Sequence, residues 1–421
     1  MYRTTVLENG LRILTTSMPH TRSVAASIFV GVGSRYEKEA DGGTSHLVEH
    51  MLFKGTERRP QPQQIAEAIE GLGGVMNAST GCEVTTYWAK VAHHHLPVAL
   101  DVLVDIFLHS KFDAEQLEKE RQVVIQEINR MLDMPESWVH VLIGELIWPE
   151  HPVGRSIAGT EESVAGITRQ DLLDYIDRTY TPHNVVISLA GKLDHDDVVE
   201  QLSAEFAAWE TSSPPSFLPA TAATPGPRIR TEFKKSEQAH LCIGMRGLSL
   251  QDPHRFQLGV LNAILGEGMS SRLFVEIREK RGLAYSVGSY TSYLRDTGAI
   301  VLYAGVQPEN AADAISAMVE QVSAMRQKTV SEGELNRAKE FTKGRILLHM
   351  EDTFANASWV GQQEVLDREF LTVDRVMHHI DAVTADDVQR QAQQLFSTEQ
   401  ANLAIVGPFK DPANFAASLA M

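Results

Sequence analysis

The sequence predicts an α+β protein of two structurally related domains, each a mainly antiparallel sheet with helices packed on one side. Three observations carry this. A chain of 421 residues with 43% apolar content can bury a large core, and its length favours more than one domain. Residues 211–230, "TSSPPSFLPATAATPGPRIR", hold five prolines among small polar residues and break the periodic apolar pattern, as an extended linker does. On either side of that break the same order of elements recurs: strand, helix, hairpin, helix.

The elements follow in turn. "SVAASIFVGVGSRYE" is rich in β-branched residues and precedes the helical "GTSHLVEHMLFKG". "NASTGCEVTTYWAKV" reads as a hairpin, its alternating Val84, Thr86 and Trp88 marking a strand, and "LPVALDVLVDIFLH" is helical. Beyond the break, "AHLCIGMRGLSL" and "HRFQLGVLNAILGEG" repeat strand and helix. "AYSVGSYTSYLRDTGAIVLYAGV" and "ADAISAMVEQVSAM" repeat hairpin and helix. Each half continues with helical spacing and early acidic residues, in "FDAEQLEKERQVVIQEINRML" and "SEGELNRAKEFTKGRILLHMEDTF". The expected division is 1–210, a linker over 211–230, and 231–421.

Charge and cysteine content narrow the function. With 55 acidic against 38 basic residues the formal charge is −17, which argues against a nucleic-acid or membrane-surface binder, both partners being anionic. Two distant cysteines, Cys82 and Cys242, make a disulfide framework unexpected and fit a reducing compartment. No apolar run reaches signal-peptide or membrane-spanning length, so the expectation is a soluble cytoplasmic protein of bacterial type.

The chemistry concentrates in "HLVEH". On a helix His46 and His50 project from one face one turn apart, the spacing at which two imidazoles bind one zinc. Glu49 flanks that face, where a carboxylate can take a proton from an attacking water. With 16 histidines in the chain, a chance match to this pattern has a frequency of about 4%. A catalytic zinc wants a third protein ligand. The downstream candidates are His93, His94 and His95, Asp101, Asp105, His109, Glu120 and Glu127. Glu120 and Glu127 share a face of one helix, so one could bind metal while the other orients a ligand.

"HLVEHMLFKGT", then "NASTGCEVTTYWAK", then "ERQVVIQE" together resemble the pitrilysin and mitochondrial-processing-peptidase family of inverted-motif zinc proteases, and the likeness in element order covers nearly the whole chain. The resemblance implies one zinc per subunit held by His46, His50 and Glu127, with Glu49 as catalytic base and Glu120 as a supporting acid. It implies that Asn77 and Ala78, at the edge of the cleft, bind substrate backbone as an added strand. In "FVEIREKRGLAYSVGSY" it implies that Arg278 and Tyr285 serve the active site, with Arg281 as the alternative arginine. A guanidinium suits a peptide carbonyl, and a phenol suits an oxyanion. "LGEGMSSRLF" fits no phosphate loop and loosely resembles the glycine-rich loop of the family's non-catalytic subunits. His93 to His95 read as a solvated helix start.

The expected function is a zinc metalloendopeptidase cleaving peptides or short unfolded segments within a chamber formed by a homodimer. The rivals are a catalytically silent structural subunit and a processing subunit that needs a different partner chain.

Overall fold

The structure is a computed structural model that describes residues 2–210, 213, 215–221, 226–366 and 370–420. The linker expected over 211–230 is therefore described only in part, residues 211, 212, 214 and 222–225 lying outside the described residues.

The first sheet comprises β1 (Tyr2–Val6), β2 (Arg12–Ser17), β3 (Ser23–Val30), β4 (Val75–Thr80), β5 (Thr85–Ala92) and β6 (Val185–Gly191), in the order β1-β2-β6-β3-β5-β4. The second comprises β7 (Arg228–Phe233), β8 (Ala239–Arg246), β9 (Ala284–Tyr293), β10 (Gly298–Val306) and β11 (Asn402–Gly407), in the order β7-β11-β8-β10-β9. β2 runs parallel to β6, as β7 does to β11, and every other pairing is antiparallel. Five strands of the first sheet thus match the second in order and sense. The duplication expected from the element order is present, and β9 is the counterpart of β4, each at a sheet edge.

The helices are α1 (Thr44–Leu52), α2 (Pro62–Glu70), α3 (Leu96–His109), α4 (Ala114–Asp133), α5 (Pro135–Ile147), α6 (Glu161–Gly166), α7 (Arg169–Thr179) and α8 (His195–Phe206). After the linker come α9 (Arg255–Gly266), α10 (Ala311–Gln327), α11 (Glu332–His349), α12 (Thr353–Val365), α13 (Val373–Ala382) and α14 (Ala385–Leu395). On one face of the first sheet Val24, Ala26, Ile28 and Val30 of β3 pack with Leu47, Val48, Met51 and Leu52 of α1 and with the apolar stripe of α3. Successive strand residues point to opposite faces, so Phe29 falls on the other side. There it meets Leu14, Val186 and, from α12, Val360 and Val365.

Helices therefore cover both faces of this sheet, one more layer than the expectation, and the second layer comes from late in the sequence. The second unit does the converse. Val139, Leu142, Ile143 and Ile147 of α5 pack with Cys242, Ala299, Val301, Ala404 and Val406. Both crossings are close: a Cβ on Gly361 of α12 would lie 2.3 Å from the Phe29 ring, and one on Gly244 of β8 would lie 2.6 Å from Ile143.

The two compact units are consequently discontinuous. One holds Met1–Ile128, Ser156–Leu218 and Leu348–Phe370; the other holds Asn129–Arg155, Pro219–Leu347 and Leu371–Met421. The division by chain order differs from this at 129–155 and 348–370. The physical reason is burial: an apolar helical face goes to the sheet face that lacks cover, at about 1.5–3 kcal/mol per large aliphatic side chain.

Candidate metal centre

Helix α1 opens at Gly43, whose φ of +93° lies in the left-handed region and whose place in the chain offers no capping side chain. The cap comes from Glu37 instead. Its carboxylate accepts the backbone N–H of Gly43 at 2.9 Å and of Ser45 at 2.6 Å, filling donors that a helix start leaves unpaired. Burial pushes the Glu37 carboxyl up to about 7, against the pull of those bonds. Ser45 is pinned further by a 2.7 Å hydroxyl contact with Tyr175. With Leu47, Val48, Met51 and Leu52 buried, His46, Glu49 and His50 fall on the half-buried side of the helix.

The Nε2 atoms of His46 and His50 lie 3.3 Å apart, and Glu127 Oε2, on α4, lies 3.7 Å from each. Among the described residues these three form the one group of histidine, cysteine and acidic side chains gathered closely enough to hold a metal. Ligand atoms about 2.0–2.1 Å from a tetrahedral zinc stand about 3.3–3.4 Å from one another. The donor set therefore fits that ion with adjustments of a few tenths of an ångström.

The tautomers agree with this. His50 Nδ1 donates to Glu120 Oε2 at 3.1 Å, which leaves Nε2 with its lone pair facing the cluster, and the other Glu120 oxygen takes Lys54 Nζ at 2.9 Å. Burial resists charge on Glu120, but the bonds from His50 and Lys54 hold its carboxyl below the usual range. Burial likewise lowers His50, yet Glu120, Glu127 and Glu49 raise it overall. His46 has only burial and a neighbouring imidazole, which hold it at about 4, so it is neutral and able to donate a lone pair at neutral pH. Glu120→Ala is expected to weaken zinc affinity by about 10–100-fold without removing a ligand, measured by competition with a chromophoric chelator.

Glu49 is not part of the three-atom group. Its Oε2 accepts the hydroxyl of Thr80, and burial raises its carboxyl, with Thr80 and His50 pulling the other way. A cavity of about 320 Å³ opens beside Glu49 and His50, lined by Phe53, Lys54, Ile69, Met76, Asn77 and Ala78. Asn77 and Ala78 lie on β4, the first strand of the hairpin, whose one strand partner among the described residues is β5. The outer edge of β4 is thus of the kind an extended peptide can pair with, although the Ala78 N–H already donates to Asn77 Oδ1 at 2.8 Å.

Arg278 and Tyr285 belong to the second unit. Arg278 sits in a π-helical stretch, Phe274–Lys280, that ends just before Gly282, whose φ is +62°. Its guanidinium stacks between the rings of Phe274 at 4.8 Å and Tyr285 at 4.7 Å. Tyr285 is 76% exposed on the edge strand β9. Arg281 is engaged elsewhere, paired with Glu276 at 3.2 Å and Glu320 at 2.5 Å. Arg278 is thus the arginine that travels with the tyrosine.

The remaining candidates have other occupations. Asp101 binds Arg58 and Arg59, and buried Asp105 binds Thr56 and Arg59. His93–His95 form a single helical turn ahead of α3, and neither they nor His109 join the metal group. The loop over 265–272 is tied down through Glu267 to Asn262 and Arg345 and through Arg272 to Glu334. Two residues of the site escaped the sequence reading. Glu37 lies nine positions ahead of His46 in a stretch read only for its β character. Thr80 looks like any strand threonine until β4 is folded against α1.

Comparison with known proteins completes the description. Residues 12–161 match the family model described as Insulinase (Peptidase family M16), and residues 166–341 match the Peptidase M16 inactive domain. An uncharacterized zinc protease of Bacillus subtilis, YmxG, is 38% identical over 95% of this chain and 97% of its own. A protease from Helicobacter pylori shares the fold with a TM-score of 0.91 at 21% identity, over 97% of this chain and 99% of its own. A Pseudomonas fluorescens structure described as a peptidase M16 inactive domain has a TM-score of 0.88 at 19% identity, over 97% and 98%.

Proposed function

Because the chain belongs to the pitrilysin-like M16 family of zinc proteases, we propose that it is a zinc metalloendopeptidase cleaving peptides or short unfolded segments within a homodimeric chamber. The observation that carries this is the meeting of His46, His50 and Glu127 within 4.8 Å, beside a carboxylate that is not needed as a ligand. These three would hold one zinc per subunit, which when bound would supply Lewis acidity toward the scissile carbonyl and the attacking water. Glu49 accepts the proton of the attacking water through the oxygen that Thr80 does not occupy, and returns it to the leaving amine. Asn77 and Ala78 align the peptide along the edge of β4. Arg278 and Tyr285 of a second copy complete the site, the guanidinium holding a substrate carbonyl and the phenol donating to the tetrahedral oxyanion.

Among the described residues no helix is long and apolar enough to cross a membrane. Both cysteines are free thiols, in keeping with a cytoplasmic location. The intact donor set speaks against a catalytically silent subunit. In the second half the counterpart of "HLVEH" is "LNAIL", which has no ligand-type pair, so one metal per chain is expected.

Elemental analysis should find about one zinc per chain, and chelation should abolish peptidase activity while leaving the circular dichroism spectrum in place, since a core of this size does not need the metal to fold. An active preparation free of metal would overturn the reading. Gel filtration of the purified chain with a peptidase assay across the peaks separates a self-sufficient homodimer from a subunit that needs a different partner.

A further inference from the structure

We propose that Thr80 is the positioning residue of the general base: it fixes Glu49 to the strand that receives the substrate, a role that rests on the peptidase reading above. Along β4 the side chains alternate, Val75, Asn77 and Ser79 exposed and Met76, Ala78 and Thr80 half-buried. The half-buried set shares one face of the strand. Two of its members, Met76 and Ala78, line the cavity beside Glu49 and His50. The third, Thr80, donates its hydroxyl to Glu49 Oε2.

The consequence is geometric. A glutamate side chain has three rotatable bonds, and the described structure gives the Glu49 carboxylate one hydrogen-bond donor among the side chains, Thr80. A hydroxyl held on Oε2 removes the rotation that would exchange the two oxygens and leaves Oε1 to meet the water. The hydroxyl is itself well placed. A β-branched side chain has few χ1 options, and Thr80 is held in register opposite Thr85. The turn that follows is closed by Gly81 N–H on Val84 O at 2.8 Å. It is also tied to the loop before α1 through Ser34 N–H on Gly81 O at 3.2 Å and Arg35 N–H on Cys82 O at 3.0 Å. The strand whose edge would pair with a peptide therefore also holds the carboxylate of the base, which places the two in one frame.

The test compares Thr80→Val, which keeps the shape and removes the hydroxyl, with Thr80→Ser, which keeps the hydroxyl, both in zinc-loaded full-length protein. Thr80→Val is expected to lower kcat by about 10- to 100-fold, the scale of one hydrogen bond to a charged group, with KM within about twofold. Thr80→Ser is expected to stay within about threefold of wild type, and zinc content should be unchanged in both. Crystal structures of the zinc-free variants supply a readout independent of turnover. The Glu49 carboxylate should leave its single orientation in Thr80→Val and retain it in Thr80→Ser. The proposal is overturned by an unchanged kcat in Thr80→Val, by a loss confined to KM, by loss of zinc or folding in parallel with activity, or by a Glu49 carboxylate that stays in place. If the wild-type enzyme with full zinc shows no peptidase activity, the peptidase reading fails, and the orientation of Glu49 in the Thr80→Val crystal still decides the role of Thr80.

Discussion

Glu49→Gln is expected to retain its zinc and to lose about 10²–10⁴-fold in kcat, whereas Glu127→Gln is expected to lose hold of the metal itself. The two carboxylates lie in one small site, yet the geometry divides their work. Glu127 Oε2 stands 3.7 Å from both histidine nitrogens and is the one carboxylate in a set otherwise made of imidazoles. Glu49 stays outside that set and has one oxygen on Thr80. A glutamine at 49 can still accept the Thr80 hydroxyl through its amide oxygen, so the shape survives; it cannot take a proton, so the chemistry does not. Zinc measured by elemental analysis, beside kcat on a peptide substrate, checks both halves. Near-normal turnover in Glu49→Gln would place the base elsewhere, and equal loss of metal from both variants would undo the division of roles.

The second large effect is a gain. If His46, Glu49, His50 and Glu127 of one subunit work with Arg278 and Tyr285 of its partner, Glu49→Gln and Tyr285→Phe homodimers should each be nearly inactive. One lacks the base and the other the oxyanion donor. After subunit exchange every heterodimer contains one site built from two intact contributions and one built from two damaged ones. Random exchange makes half the dimers mixed, so activity should climb to roughly a quarter of wild type if sites act independently. Native mass spectrometry verifies the exchange. A verified mixture that stays as inactive as its parents would mean that Tyr285 acts within its own chain or not at all.

These experiments rest on residues of unequal visibility in the sequence. His46, Glu49 and His50 are legible because a helix converts a spacing of four into a shared face, and Glu120 and Glu127 because seven positions make nearly two turns. Selecting Glu127 over Asp101 or Asp105 is another matter. The aspartates are consumed by Arg58 and Arg59 in contacts made through folding, which no spacing reveals. Thr80 and Glu37 are invisible for the same reason, since each acts across a gap in sequence on a helix whose placement must be known first. The two related sheets could be read from element order, but the destinations of α5 and α12 could not: an amphipathic face states that it needs cover without stating which sheet it covers.

That exchange of helices sets a timetable for the chain as it is made. All six strands of the first sheet are complete at Gly191, yet Leu14, Phe29 and Val186 lack their cover until α12 follows from Thr353 onward. Roughly 160 residues separate the two points, which at a synthesis rate of about 5–20 residues per second is about 8–30 s during which one apolar sheet face of the nascent chain stays bare. The second sheet has the opposite order of supply: its covering helix α5 has emerged before β7 begins, but its inner strand β11 arrives only at Asn402–Gly407. The unit that carries His46, His50 and Glu127 is thus first to begin and still open when most of the second unit has been made, so its frame is not final before α12 exists.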